Sequence, residues 1–126
     1  AEFSCGFCTD AQGAQTIGKT FRESRYLLDT HTAVACTVLG AYRAETGDQT
    51  LTVVESTASP FKFCASVLDA LGVTEHAPGT GVLGQLTAET GRPAPTPLAS
   101  LAGKPVRFDQ VTDRGDMRAV VTEFLR

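Results

Sequence analysis

The apolar positions of the chain first recur at helical spacing. Ala14, Ile17, Gly18 and Phe21 follow one another at intervals that place them on one helix face, ending near Arg25. Just ahead of them, Thr9 and Gln12 stand where a hydroxyl and an amide can satisfy the free N–H groups of a helix start. A first helix over 10–25 is predicted. Tyr26, Leu27 and Leu28 then make a short extended link. Asp29 and Thr30 are good N-cap residues for a stripe of Val34, Val38, Ala41 and Tyr42, which predicts a second helix over 30–45, stopped by Gly47.

The pattern then changes. Residues 50–56 read Thr-Leu-Thr-Val-Val-Glu-Ser, a β-branched run bounded by turn residues, and predict a strand. Ser59 and Pro60 stand in the order of N-cap and first helical residue. They open a helix whose buried face is Phe63, Cys64, Val67, Leu68 and Leu71 and which Gly72 ends. From Val73 to Gly103 the prolines Pro78, Pro93, Pro95 and Pro97 predict a mostly irregular excursion, with one helical stretch around 82–90. A short strand over 104–109 and a helix capped by Asp113, with Met117, Val120, Val121 and Phe124 on one side, close the chain. The expectation is an α/β fold, helix-rich with one or two strands, divided into residues 1–72 and 73–126. One clear strand implies a sheet completed by other chain.

Composition narrows the partners. A chain of 126 residues, 42% hydrophobic, can bury one modest core. With a net charge of -3 and no run of Lys or Arg, it offers no electrostatic footprint for nucleic acid or an anionic membrane. No apolar stretch approaches the roughly 20 residues that span a bilayer, and Ala1, Glu2 and Phe3 do not open a signal peptide. A soluble, cytoplasmic protein is expected. Four cysteines, of which only Cys5 and Cys8 are close in sequence, fit reduced thiols.

Several motifs have simpler readings than their chemistry. The dithiol spacing of Cys5 and Cys8 works in redox proteins where a strand delivers the first thiol to a helix start, and only four residues precede Cys5. Gly79, Gly81 and Gly84 match a dinucleotide fingerprint, but no strand comes before them. Ser59 and Lys62 have the spacing of a lysine-activated serine, and Ser59 is explained equally well as an N-cap. His31 and His76 lie apart, in no metal-binding pattern, so no metal is expected.

Two blocks taken together point further. Residues 25–35, Arg-Tyr-Leu-Leu-Asp-Thr-His-Thr-Ala-Val-Ala, resemble the threonine synthase pattern of Gly-Tyr, a few apolar residues and Asp-Pro-His-Thr-Ala-Val. Residues 55–63, Glu-Ser-Thr-Ala-Ser-Pro-Phe-Lys-Phe, resemble that family's Ala-Thr-Ala-His-Pro-Ala-Lys-Phe. Thr30 replaces the usual proline and Ser59 the usual histidine. The likeness extends from about Phe7 to Leu71 and returns loosely near the end.

The resemblance implies a fold type II enzyme that uses pyridoxal phosphate (PLP) to turn O-phosphohomoserine and water into L-threonine and phosphate. This chain would be a carboxy-terminal part of its large, PLP-binding domain. Thr57 would meet the pyridine nitrogen with a neutral hydroxyl, which moderates the cofactor's power as an electron sink. Asp29 resembles an acidic position near the ring, and is equally well read as an N-cap. Ser59 is the third candidate for cofactor contact. No catalytic residue is expected within these 126 positions, because none of Lys19, Lys62 and Lys104 stands in the family's Ser-Phe-Lys-Asp setting, and no glycine loop suits the cofactor phosphate. The implied partners are the remaining large-domain portion and a second copy in a homo-oligomer. The other class of function open to this sequence is a stand-alone, non-catalytic binding or assembly domain that keeps the old fold.

Overall fold

The computed structural model describes residues 3–126; Ala1 and Glu2, part of the segment read above for a leader, lie outside them. The first helix, α1 (Asp10–Ser24), begins as the sequence predicts: Gln12 N–H donates to Thr9 Oγ1 at 3.3 Å and Thr9 N–H donates to Gln12 Oε1 at 2.8 Å. It ends on Arg25, whose φ of 58° turns the chain out of the helix. Helix α2 (Thr30–Thr46) starts on Asp29 and stops at Gly47, where a φ of 70° suits a residue without Cβ. The two helices pack side by side, and Thr16 Oγ1 sits 2.7 Å from Thr37 Oγ1 across their interface. Because the Thr37 hydroxyl already donates to Ala33 O at 2.7 Å, Thr16 is the donor of that cross-link.

After the extended stretch comes a break that the apolar period does not reveal. Ser59 caps a single 3-10 turn, Pro60–Lys62, and α3 (Cys64–Ala70) starts afresh beyond Phe63, whose φ of -128° and ψ of 38° are not helical. The core forms where α1, α3 and α4 (Gly81–Thr90) meet. Ile17, Phe61, Val67, Leu68 and Leu86 are buried there together, with Leu28 from the link before α2 and Ala33 from the start of that helix. Gly18 lets α1 approach the end of α3: a Cβ at this position would lie 2.6 Å from the Ala70 carbonyl oxygen, a backbone atom with little freedom to retreat. Gly18→Val is therefore expected to cost about 1–3 kcal/mol through overpacking, read as a lower urea midpoint at unchanged m-value.

The stretch from Val73 to Gly103 is more ordered than its prolines imply. The Gln85 side chain accepts from Ala77 N–H at 2.8 Å and donates to Glu75 O at 2.7 Å, which fastens the loop before α4 to the helix. Arg92 donates to Arg25 O at 2.9 Å, tying the chain after α4 to the end of α1. Pro97 sits in the first turn of α5 (Thr96–Ala99), where a missing N–H costs nothing. A 3-10 turn over Ser100–Gly103 continues it. The final α6 (Met117–Phe124) is preceded by another, Arg114–Asp116, and Asp113 makes no side-chain cap.

The α/β expectation is overturned: among the described residues there is no strand and no sheet. Residues 50–56 are extended but pair with nothing. Leu51 and Val53 are 93% and 91% exposed, and the segment is steadied instead by Arg43, which donates to Thr50 O at 3.1 Å and to Thr52 Oγ1 at 3.3 Å. β-branched composition favours extended backbone, but a strand needs a neighbour's N–H and C=O groups to become one. Residues 104–109 fail as a strand for the same reason, with Val106 and Phe108 exposed.

Candidate functional site

The two family-like blocks, distant in sequence, meet at the start of α2. Asp29 is the centre of that junction, only 1% exposed. Its Oδ1 accepts His31 N–H at 2.9 Å and Thr32 N–H at 3.2 Å, the bonds of an N-cap. Its Oδ2 accepts the Thr32 hydroxyl and, from the second block, the Ser56 hydroxyl at 3.4 Å. Ser56 Oγ also accepts from Thr32 Oγ1 at 3.1 Å, so the single Thr32 hydroxyl proton is shared between two acceptors, Asp29 Oδ2 and Ser56 Oγ. Burial pushes the Asp29 carboxyl up, but the Thr32 hydroxyl and the two N–H groups outweigh it, with a smaller pull from His31, and hold the group below the ordinary aspartate range. It is a carboxylate at neutral pH.

The three predicted cofactor contacts are not gathered in one cavity. Thr57 follows Ser56 at the mouth of a groove of about 590 Å³ between α2 and the extended segment, walled by Phe7, Val38, Leu39, Tyr42 and Val53. Its hydroxyl makes no hydrogen bond among the described residues. Asp29 has both oxygens filled by its own chain, which bears out its capping arrangement in full geometric detail. Ser59 accepts from Phe61 N–H at 3.3 Å as the cap of the 3-10 turn, and it lines a different, smaller cleft with Arg92 and Pro93.

His31, set aside above because it fits no metal-binding pattern, joins this junction. Its ring packs on Phe63 of the second block, with centroids 5.0 Å apart at 58°, and its Nδ1 lies 3.4 Å from Asp29 Oδ1. It lines a second groove, of about 520 Å³, with Thr9, Asp10, Ser66 and Asp69. The signal was the Asp-x-His spacing itself, which sets a first-turn imidazole beside its own cap. Elsewhere, burial pushes the Cys36 and Cys64 thiols up, whereas Cys5 is exposed and Cys8 half-buried, all four being free. No group of three or more metal-binding side chains comes together among the described residues.

The model of the threonine synthase C-terminal family matches residues 32–122, and the chain belongs to that family. No curated protein matches it significantly. The match runs straight through 73–103, where the sequence offers no family-like motif, and includes Ser56, Thr57 and Ser59. Asp29 and His31 lie just ahead of it. No helix among the described residues is long and apolar enough to cross a membrane.

PLP, which the family implies, finds only part of its needs in this chain. The largely apolar groove beside Thr57 suits the ring-nitrogen edge, because it offers a free neutral hydroxyl among apolar side chains and holds no cation that would compete for that nitrogen. The other end is not met. Lys19, Lys62 and Lys104 are exposed and none lines that groove, whose charged residues are Glu45 and Glu55 and include no cation for a phosphate.

Proposed function

We propose that this chain is the carboxy-terminal part of a threonine synthase and supplies the ring-nitrogen wall of its PLP site, while the lysine and the phosphate cradle come from the rest of the enzyme. The reading rests on the family match together with one observation: the free Thr57 hydroxyl at the mouth of an apolar groove, on a segment held to the start of α2. When bound, PLP supplies the electron sink that lets phosphate leave O-phosphohomoserine and water add to give L-threonine. Thr57 donates a hydrogen bond to the ring nitrogen and leaves it unprotonated, since a hydroxyl is too weak an acid to transfer its proton there. Phe7, Val38, Leu39 and Tyr42 orient the ring and exclude water from its face. The extended segment and the apolar side of α6 would be covered by the remaining enzyme, consistent with their exposure here.

The 126-residue chain by itself is then expected to release no phosphate from O-phosphohomoserine and, after incubation with PLP and borohydride reduction, to show no cofactor-bearing lysine by mass spectrometry. In the complete enzyme, Thr57→Val should weaken PLP binding about tenfold, the loss of one buried hydrogen bond, with the fold intact. Phosphate release by the isolated chain, or unaltered PLP affinity in Thr57→Val, would count decisively against this assignment. An in-frame Ser-Phe-Lys-Asp motif encoded upstream separates the enzyme from a stand-alone binding domain.

A further inference from the structure

We infer that Asp29, Thr32 and Ser56 are positioning residues for Thr57, gripping the residue before it so that its hydroxyl is aimed before any cofactor arrives. This rests on the reading of Thr57 as the ring-nitrogen partner. The starting point is an excess. An N-cap needs one carboxylate oxygen, and Asp29 Oδ1 alone serves His31 N–H and Thr32 N–H. Oδ2 is surplus to the helix, yet it is buried and engaged by two hydroxyls, one from Thr32 and one from Ser56, 27 positions further on.

The segment that Oδ2 holds has few other anchors. Residues 47–57 lie outside helix and sheet. The Arg43 and Asp48 contacts reach only Thr50 and Thr52. On the far side, Ser59 caps the turn and Pro60 fixes the backbone. Between Val53 and Ala58 no backbone hydrogen bond to the rest of the chain is made among the described residues. The side-chain bond at Ser56 is therefore what orients the adjoining Thr57 peptide.

The grip also explains why a carboxylate serves better than an amide. Thr32 and Ser56 both present hydroxyl protons to Oδ2, so the atom there must accept only. In asparagine one terminal atom would be a donor, and the two hydroxyls would have to turn their protons away and accept from it, exchanging charge-assisted bonds for weaker neutral ones. Asparagine would thus keep the cap and loosen the grip, which separates the two jobs experimentally.

Ser56→Ala removes the grip without touching the cap. In the isolated chain it should leave helix content and urea midpoint as in the wild type, while amide order parameters at 55–58 fall from near about 0.85 toward about 0.6 or below. In the complete enzyme it should weaken PLP binding about fivefold, the factor for one modest hydrogen bond, and Ser56→Thr should restore both readings. Order parameters at 55–58 that stay at the wild-type level in Ser56→Ala overturn the positioning role, whatever Thr57 does. If Thr57→Val weakens PLP binding and Ser56→Ala does not, the inference fails and the assignment of Thr57 stands. If neither does, both fail, and the grip is a folding contact only.

Discussion

Leu68→Ala is expected to remove a large share of the margin by which this chain stays folded. Leu68 is fully buried and lies where α1, α3 and α4 meet, against neighbours that include Ile17, Val67 and Leu86. Truncating such a leucine costs about 2–5 kcal/mol, the larger values where the surroundings cannot close on the space left behind. A domain of this size has about 5–15 kcal/mol in all. This one works with less chain than its length suggests, because nothing in residues 104–126 is buried. Urea unfolding followed by circular dichroism should show the midpoint falling by about a third or more at unchanged m-value. Val111→Ala, on a fully open side chain, should stay within about 0.5 kcal/mol of the parent; equal effects from the two substitutions would mean that the core is not where the structure puts it.

Asp29→Ala carries the second large effect, and its size should depend on pH. The substitution removes the α2 cap and leaves the Thr32 and Ser56 hydroxyls without their acceptor, so about 2 kcal/mol of stability should go at neutral pH. The sign of the pH dependence follows from the direction of the Asp29 shift. Its carboxyl ionises below the ordinary aspartate range when folded and near about 3.9 when unfolded. The charge therefore stabilises the fold above that unfolded value, and the contribution disappears as pH falls through the lower, folded value. The gap between parent and variant should be full at pH 7 and shrink in strong acid. Asp48 is shifted in the same direction by the Thr50 hydroxyl and N–H, and it is present in both proteins, so the difference isolates Asp29. A gap that does not narrow on acidification would show that Asp29 is not a charged acceptor in the fold.

How much of this was legible in the sequence depends on how local each feature is. The starts of α1 and α2 could be read because a cap is a conversation between residues two or three apart, and Thr9, Gln12 and Asp29 carry it within one turn. The strand at 50–56 misled because extended backbone is local but a strand is not: Val53 and Val54 favour the conformation and cannot supply the partner. Phe63 misled in the opposite way. The apolar spacing of Phe63, Val67 and Leu68 is helical throughout, and only the backbone reveals that the helix restarts at Cys64. Thr57 was found through the family-like block, since a threonine in a loop has no periodicity to betray it. The bond from Ser56 to Asp29 was beyond reach, because it joins positions that no spacing rule connects.

The tail raises a question about mutational tolerance. Val106, Phe108, Val111 and Phe124 are open to solvent, and α6 turns Met117 and Val121 outward as well. Burying none of these side chains, the fold gains nothing from their being apolar, and polar replacements would leave its stability untouched or improve its solubility. Selection acting on the stability of this stretch of chain alone would let them drift. Val106, Phe108 and Val111 lie in the span that the family model covers, and their apolar character serves nothing that the described residues bury.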